Sequence, residues 1–302
     1  MDSPSVLLVI ERESPAQQCL GRALMMARYL HARLDILLCR DRMDPPWNPL
    51  ASHTVMAEGR EYMDAMRKSI VAPDVEIRTE LASAGARHAT VIEHARHNGC
   101  VLVIKRPWKP QPLQGERTDW ELLHHCPVPL LLTHGSPWRP RPRFAAAIDP
   151  LDARGAARSS CTLAAAVALR AACKADLDIL YVQPDTMPPQ SPEGESSAQV
   201  ELIRLGRAFD IESERLHVLD AKATARIPAF VAEKGYDLLA MGAPAEGRSL
   251  FFHSGTPLDH ALTDIGCDLL VVQGAPAAAP SEPRRAPLRW GSMPLWQYIG
   301  AD

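Results

Sequence analysis

The sequence predicts an α/β protein made of two tandem doubly wound domains, each with a five-stranded parallel sheet. Three observations carry this reading. At 302 residues the chain is long enough for two domains of ordinary size. Short apolar runs of strand length alternate with helix-length stretches, the pattern of a parallel sheet covered on both faces. The two halves also repeat each other. Leu34-Asp35-Ile36-Leu37 returns 143 residues later as Leu177-Asp178-Ile179-Leu180. Cys126, before the apolar run 128–132, returns 141 residues later as Cys267, before 269–272. Thr118, opening a helix, returns 138 residues later as Thr256. Landmarks in one order at nearly one offset indicate duplication with drifting loop lengths.

The elements follow in order. Residues 6–10 are a buried strand, and 15–31 an amphipathic helix with Leu20, Leu24, Ala27 and His31 on one face. A strand at 34–39, a helix near 58–70 and a strand at 75–81 come next. A helix at 87–97, a strand at 100–105, a helix at 118–125 and a strand at 128–133 complete the first half. The second half places strands at 144–148, 177–182, 215–219, 237–241 and 269–272. In such a fold ligands sit at the carboxyl ends of the strands.

Between the halves, Ser136-Pro137-Trp138-Arg139-Pro140-Arg141-Pro142-Arg143 holds three prolines that oppose helix and favour an extended spacer. The expected division is therefore a domain over 1–136, a linker over 137–143, a second domain over 144–274 and a tail over 275–302. Residues 184–197, rich in Pro, Ser, Glu and Gly, read as a loop. The tail carries Trp290, Trp296 and Tyr298, aromatic anchors expected to dock on an apolar groove of this chain or of a partner copy.

Composition narrows the function. Hydrophobic residues at 46% and charged ones at 23% supply two cores and exclude wholesale disorder. Lys+Arg 33 against Asp+Glu 36 leaves a net charge of −3, so no basic excess favours nucleic acid. The apolar runs fall far short of the ~20 residues of a membrane helix, and the start shows no basic leader. Seven cysteines without a CxxC point to reduced thiols and a cytoplasmic location.

With its two repeats, Met241-Gly242 followed by Ser254-Gly255-Thr256, and the segment Thr118-Asp119-Trp120-Glu121-Leu122-Leu123 before Cys126-Pro127-Val128-Pro129, the chain resembles the universal stress protein family. The segment around Trp120 is similar to the tandem E-type members. The resemblance implies Rossmann-like domains of strand order 3-2-1-4-5, packed as a pseudo-dimer. It also implies a stress-induced cytoplasmic protein with a regulatory or protective role. The family's nucleotide motif is Gly-x2-Gly-x9-Gly-Ser/Thr, whose glycines bring backbone N–H groups and a helix N-terminus to phosphate. By resemblance the nucleotide-binding positions are Asp149, Val182, Met241, Gly242, Gly255 and Thr256, with ATP as the cofactor. The middle glycine is replaced by Ala245, and Gly247 stands two residues late. In the first half Lys105-Arg106-Pro107-Trp108 replaces the glycine and Glu11 replaces the strand-end aspartate, so no ATP site of this kind is expected there.

Other motifs read as structure. The stretch 242–249 nearly spells a phosphate loop, but Arg248 stands where lysine is needed and Leu250-Phe251-Phe252 follows. Thr118 has capping-box spacing, and Thr256 caps a helix with Pro257 at its first position. His94 and His97 on one helix face, and His124-His125, lack metal-ligand spacing, and Cys126 and Cys267 read as small buried residues. No GxSxG or acid partner accompanies His253-Ser254. The expectation is a non-enzymatic stress-response regulatory or small-molecule-binding module, without catalytic or metal-binding residues. The alternatives are an ATP-binding, slowly hydrolysing protein and an acyl or amphipathic carrier lined by Trp108 and Trp120.

Overall fold

The structure is a computed structural model, and it describes residues 3–11, 16–39, 49–82, 87–107, 117–150, 156–183, 197–220, 227–243 and 265–273, with the backbone of 289–290 and 293–294. The chain divides into two units, Met1–Gly135 and Ser136–Asp302.

The first unit runs β1 (Ser5–Glu11), α1 (Ala16–Tyr29), β2 (Arg33–Cys39), α2 (Pro49–Ser69), β3 (Ile77–Leu81), α3 (Arg87–His97), β4 (Cys100–Lys105), α4 (Arg117–His125) and β5 (Leu130–Leu132). β1 pairs in parallel with β2 on one side and β4 on the other, β2 carries β3, and β4 carries β5. The order is thus β3-β2-β1-β4-β5. Every residue of β2 and β4 is buried, as inner strands between two helical layers require, the charged Arg33, Asp35 and Lys105 included.

The second unit runs β6 (Arg143–Ala147), α5 (Ala156–Cys173), β7 (Asp176–Gln183), α6 (Ser197–Ala208), β8 (Leu216–Asp220), α7 (Ile227–Lys234), β9 (Leu238–Gly242) and β10 (Asp268–Val272). Its parallel pairings give β8-β7-β6-β9-β10, the order of the first unit. Both sheets reverse their winding beside the central strand, which opens a crevice at the carboxyl ends of β1 and β4 and of β6 and β9.

The repetition extends to the helix ends. His31 after α1 and Lys174 after α5 both turn left-handed, with φ of 48° and 52°. In each case the next residue donates back across the last turn, Ala32 N–H to Ala27 O at 2.8 Å and Ala175 N–H to Arg170 O at 3.0 Å, the six-to-one bond of a Schellman cap. The repeated aspartate is a buried ionic node in both units. Asp35 receives Arg33 Nε at 3.1 Å and lies 3.6 Å from His94 Nε2. Asp178 receives Arg215 at 3.0 Å and the Tyr236 hydroxyl at 2.7 Å.

Several expectations are corrected. The buried stripe of α1 is Cys19, Ala23, Met26, Ala27 and Leu30, whereas Leu20 and Leu24 are half-buried and His31 is exposed in its cap. The stripe turns by about one position because Cys19 and Ala23 are small enough for the helix to lie close on β1. α2 begins nine residues earlier than predicted, at Pro49, whose missing N–H is no loss at a helix start. β5 shrinks to Leu130–Leu132 because Pro127 and Pro129 have no N–H for the ladder, although Pro129 O still accepts from Val103 N–H at 3.0 Å. The proline-rich segment after Ser136 is without helix, as expected, and it is also anchored. Trp138 Nε1–H donates to Asp268 Oδ2 at 3.0 Å, its ring packs edge-on against Phe144, and Arg143 N–H donates to Asp237 Oδ2 at 2.9 Å.

In the tail, β11 (Arg289–Trp290) and β12 (Met293–Pro294) pair antiparallel. Its aromatic side chains, the 184–196 loop, Trp108 and the side chain of Trp120 lie outside the described residues. No helix among the described residues is long and apolar enough to cross a membrane.

Candidate functional site

In the second unit, strand register sets the site. Ala147, the last residue of β6, pairs with Leu180 on β7 and with Met241 on β9, so the carboxyl-terminal parts of three adjacent strands lie side by side. Asp149 follows Ala147 by two residues, Val182 follows Leu180 by two, and Gly242 follows Met241 by one. The structure therefore brings Asp149, Val182, Met241 and Gly242 to one carboxyl edge, at the crevice beside β6. Met241 itself is buried, which leaves only its backbone for a ligand. Gly255 and Thr256 lie outside the described residues, as do Ala245 and Gly247.

Asp149 is held by its main chain. The Ser159 hydroxyl on α5 donates to Asp149 O at 2.9 Å, and Asp149 N–H donates to Ser159 Oγ at 3.3 Å. Ser159 is buried, so this bridge works without competition from water. Tyr181 on β7 is buried close by, and burial together with the Asp149 charge pushes its phenol up to about 12. Ala243 N–H donates to Val272 O at 2.8 Å, which ties the start of the glycine loop to β10. A half-buried carboxylate at a strand end suits sugar hydroxyls, and the glycine permits close approach to the backbone. This donor set fits the nucleoside end of a nucleotide.

The first unit fills the same place differently. Val9 pairs with Leu37 and Lys105, which puts Lys105 where the second unit has Met241 and Glu11 where it has Asp149. The Lys105 side chain is only 2% exposed, and its ammonium lies 3.2 Å from Glu11 Oε1. Arg87, first residue of α3, approaches the same oxygen at 3.6 Å. Burial and the Glu11 charge push the Cys39 thiol up to about 12, against the opposing pull of Lys105 and Arg87. Side chains thus occupy the position that a glycine loop leaves open.

Sequence reasoning missed Ser159 and Arg87. A serine within a helix carries no local sign that it reaches a strand end ten residues away. Arg87 is set beside Glu11 only by the sheet order. The histidines settle into the fold. His94 Nδ1 lies 3.1 Å from Glu80 on one side, with Asp35 on the other, and His97 Nδ1 lies 2.9 Å from Glu93 O. Among the described residues no group of three or more His, Cys, Asp or Glu could hold a metal ion.

Within the second unit, residues 150–273 match the family model described as "Universal stress protein family". No curated protein sequence matches the chain. Solved structures similar to this chain cover most of it. One, from Pseudomonas aeruginosa UCBPP-PA14 and assigned to the universal stress proteins, has TM-score 0.65 and 23% identity, covering 90% of this chain and 93% of that one. A universal stress protein from Archaeoglobus fulgidus DSM 4304 has TM-score 0.67 at 14% identity, covering 90% and 97%. A protein of unknown function from P. aeruginosa PAO1 has TM-score 0.63 at 21% identity, covering 90% and 93%. At these identities the likeness is one of fold.

Proposed function

We propose that the chain is a tandem universal stress protein of the cytoplasm, a non-enzymatic binding module of the stress response. In this reading its second unit takes an adenine nucleotide, ATP, at the carboxyl edge of its sheet. The observation that carries the reading is the placement of Asp149, Val182 and Gly242 at the carboxyl edge of three adjacent strands on both sides of the switch point, with Asp149 fixed by Ser159. Asp149 holds the ribose hydroxyls, the Val182 backbone borders the base, and Gly242 admits the chain to the phosphates. Bound nucleotide supplies a charged, stress-sensitive ligand. The residues orient it and perform no bond-breaking step.

Calorimetry with ATP and Mg-ATP on the full chain tests this. Binding at or below the millimolar range is expected, with no turnover beyond slow background hydrolysis. Ala245→Gly should tighten it by restoring the missing glycine, and Gly255→Trp should abolish it. Absence of ATP binding in both the wild type and Ala245→Gly would remove the nucleotide reading.

A further inference from the structure

An open sheet edge sets a chemical demand, because its outward N–H and C=O groups match the groups of another strand. In each unit the second strand carries an outer strand, β3 on β2 and β8 on β7, and among the described residues no further strand pairs with either. Strand register puts the two in correspondence. Ile36 pairs with Thr79 and the repeated Ile179 with Leu216, so Thr79, Glu80 and Leu81 answer to Leu216, His217 and Val218.

The first of these edges is guarded. The Arg67 guanidinium on α2 donates to Ile77 O at 2.5 Å, and Arg78 and Glu80 are exposed along the strand. Charged side chains of this kind keep an edge from pairing. The second edge has lost them. Leu216 N–H closes the turn before it on Ser213 O, and among the described residues no side chain bonds the backbone of 216–219. His217 reaches back to the buried Asp178 at 3.5 Å, which leaves Val218, 41% exposed, as the side chain that β8 presents to water. Val200 is exposed as well, on α6, the helix that packs over β8 with Gly206 against Leu216.

The occupant that this edge fits is a second β8. Laid antiparallel on a copy of itself about Val218, the strand pairs along its whole length: Val218 meets Val218, His217 meets Leu219 and Leu216 meets Asp220. No like charges oppose, since the two Asp220 positions fall at opposite ends and each faces a leucine. An antiparallel neighbour at the edge of a parallel sheet is a common arrangement. We propose that two copies of this chain associate through β8, antiparallel about a twofold axis at Val218. Such a contact is isologous, so it closes at two chains and does not grow into a filament.

Sedimentation equilibrium of the full chain, from about 10 μM to about 1 mM, reads the association, and the wild type should pass from monomer to dimer within that range. Val218→Lys and Val218→Glu each set two like charges face to face on the axis and should weaken the dimer about tenfold or more. An equimolar mixture of the two variants should associate again, because lysine then meets glutamate across the axis. That rescue is expected only where the residue faces its own copy. Val218 is exposed, so both variants should unfold close to the wild-type temperature. Should one fail to fold, the other must still lose the dimer. A wild type that stays monomeric throughout overturns the proposal, and so does a dimer that either charge leaves intact. A mixture that fails to recover overturns the axis at Val218.

Discussion

Asp35 shows how one side chain couples the fold to pH. Burial pushes its carboxyl up, but His94 and Arg33 more than offset this, and the group lies below its ordinary value. Folding therefore favours the ionised form. The resulting stability is complete above the unfolded pKa of about 3.9 and fades as pH falls through the lower folded value. Asp35→Asn leaves the buried Arg33 without its counter-charge and should cost about 3 kcal/mol at pH 7. In urea unfolding, its gap from wild type should narrow below about pH 4. An equal gap at pH 7 and pH 3 would contradict the assignment. Thr162 on α5 is the opposite case. Its Oγ1 is buried and finds no hydrogen-bond partner among the described residues. Thr162→Val removes that unsatisfied group at nearly constant shape and should stabilise by about 1 kcal/mol, read as a higher urea midpoint.

Among the elements, two glycines make contrasting predictions. Gly21 is an exposed position within α1, and a methyl there meets nothing within 4 Å. Gly21→Ala should stabilise by roughly 0.5–1 kcal/mol through helix propensity and a less disordered unfolded chain. Gly235 follows α7 at φ +65°, and a Cβ there would come 2.6 Å from an Arg139 nitrogen. Gly235→Ala should cost about 1 kcal/mol or more. It should also displace Arg139 from Asp237, whose carboxylate also accepts from Arg143 N–H. Thermal unfolding of the two variants should move in opposite directions from wild type. Equal shifts would mean that the cap after α7 does not depend on its left-handed residue.

For the whole molecule, the thiols report how well the two cores exclude water. Cys19, Cys39, Cys100, Cys126, Cys173 and Cys267 are buried, while Cys161 is half-exposed. Burial pushes Cys126 and Cys267 up to about 12, with Asp268 adding to the second, and pushes Cys100 up as well. Because the thiolate is the reactive form, a thiol-specific reagent should label Cys161 rapidly in the native protein and all seven cysteines only in denaturant. Rapid native labelling at Cys126 or Cys267 would show that the strands after them open far more readily than the packing implies.

Alternating apolar runs and the recurring Leu-Asp-Ile-Leu segment were enough to read the α/β class and the duplication, since both are patterns of period and spacing carried by the chain itself. The strand ends that carry Asp149, Val182 and Gly242 were legible for the same reason. Only the tertiary structure decided which face of α1 is buried, because that depends on how closely Cys19 and Ala23 let the helix lie on β1. It alone tied Ser159 to Asp149 and seated Lys105 on Glu11, residues 94 positions apart in the chain. The repeated aspartate marked the duplication in sequence, but its place as a buried ionic node came from the distinct partners each unit brings, His94 in one and Tyr236 in the other. Periodicity is local and survives in a string of letters. The environment of a charged side chain is set by neighbours that sheet order brings from elsewhere in the chain, and no local pattern records them.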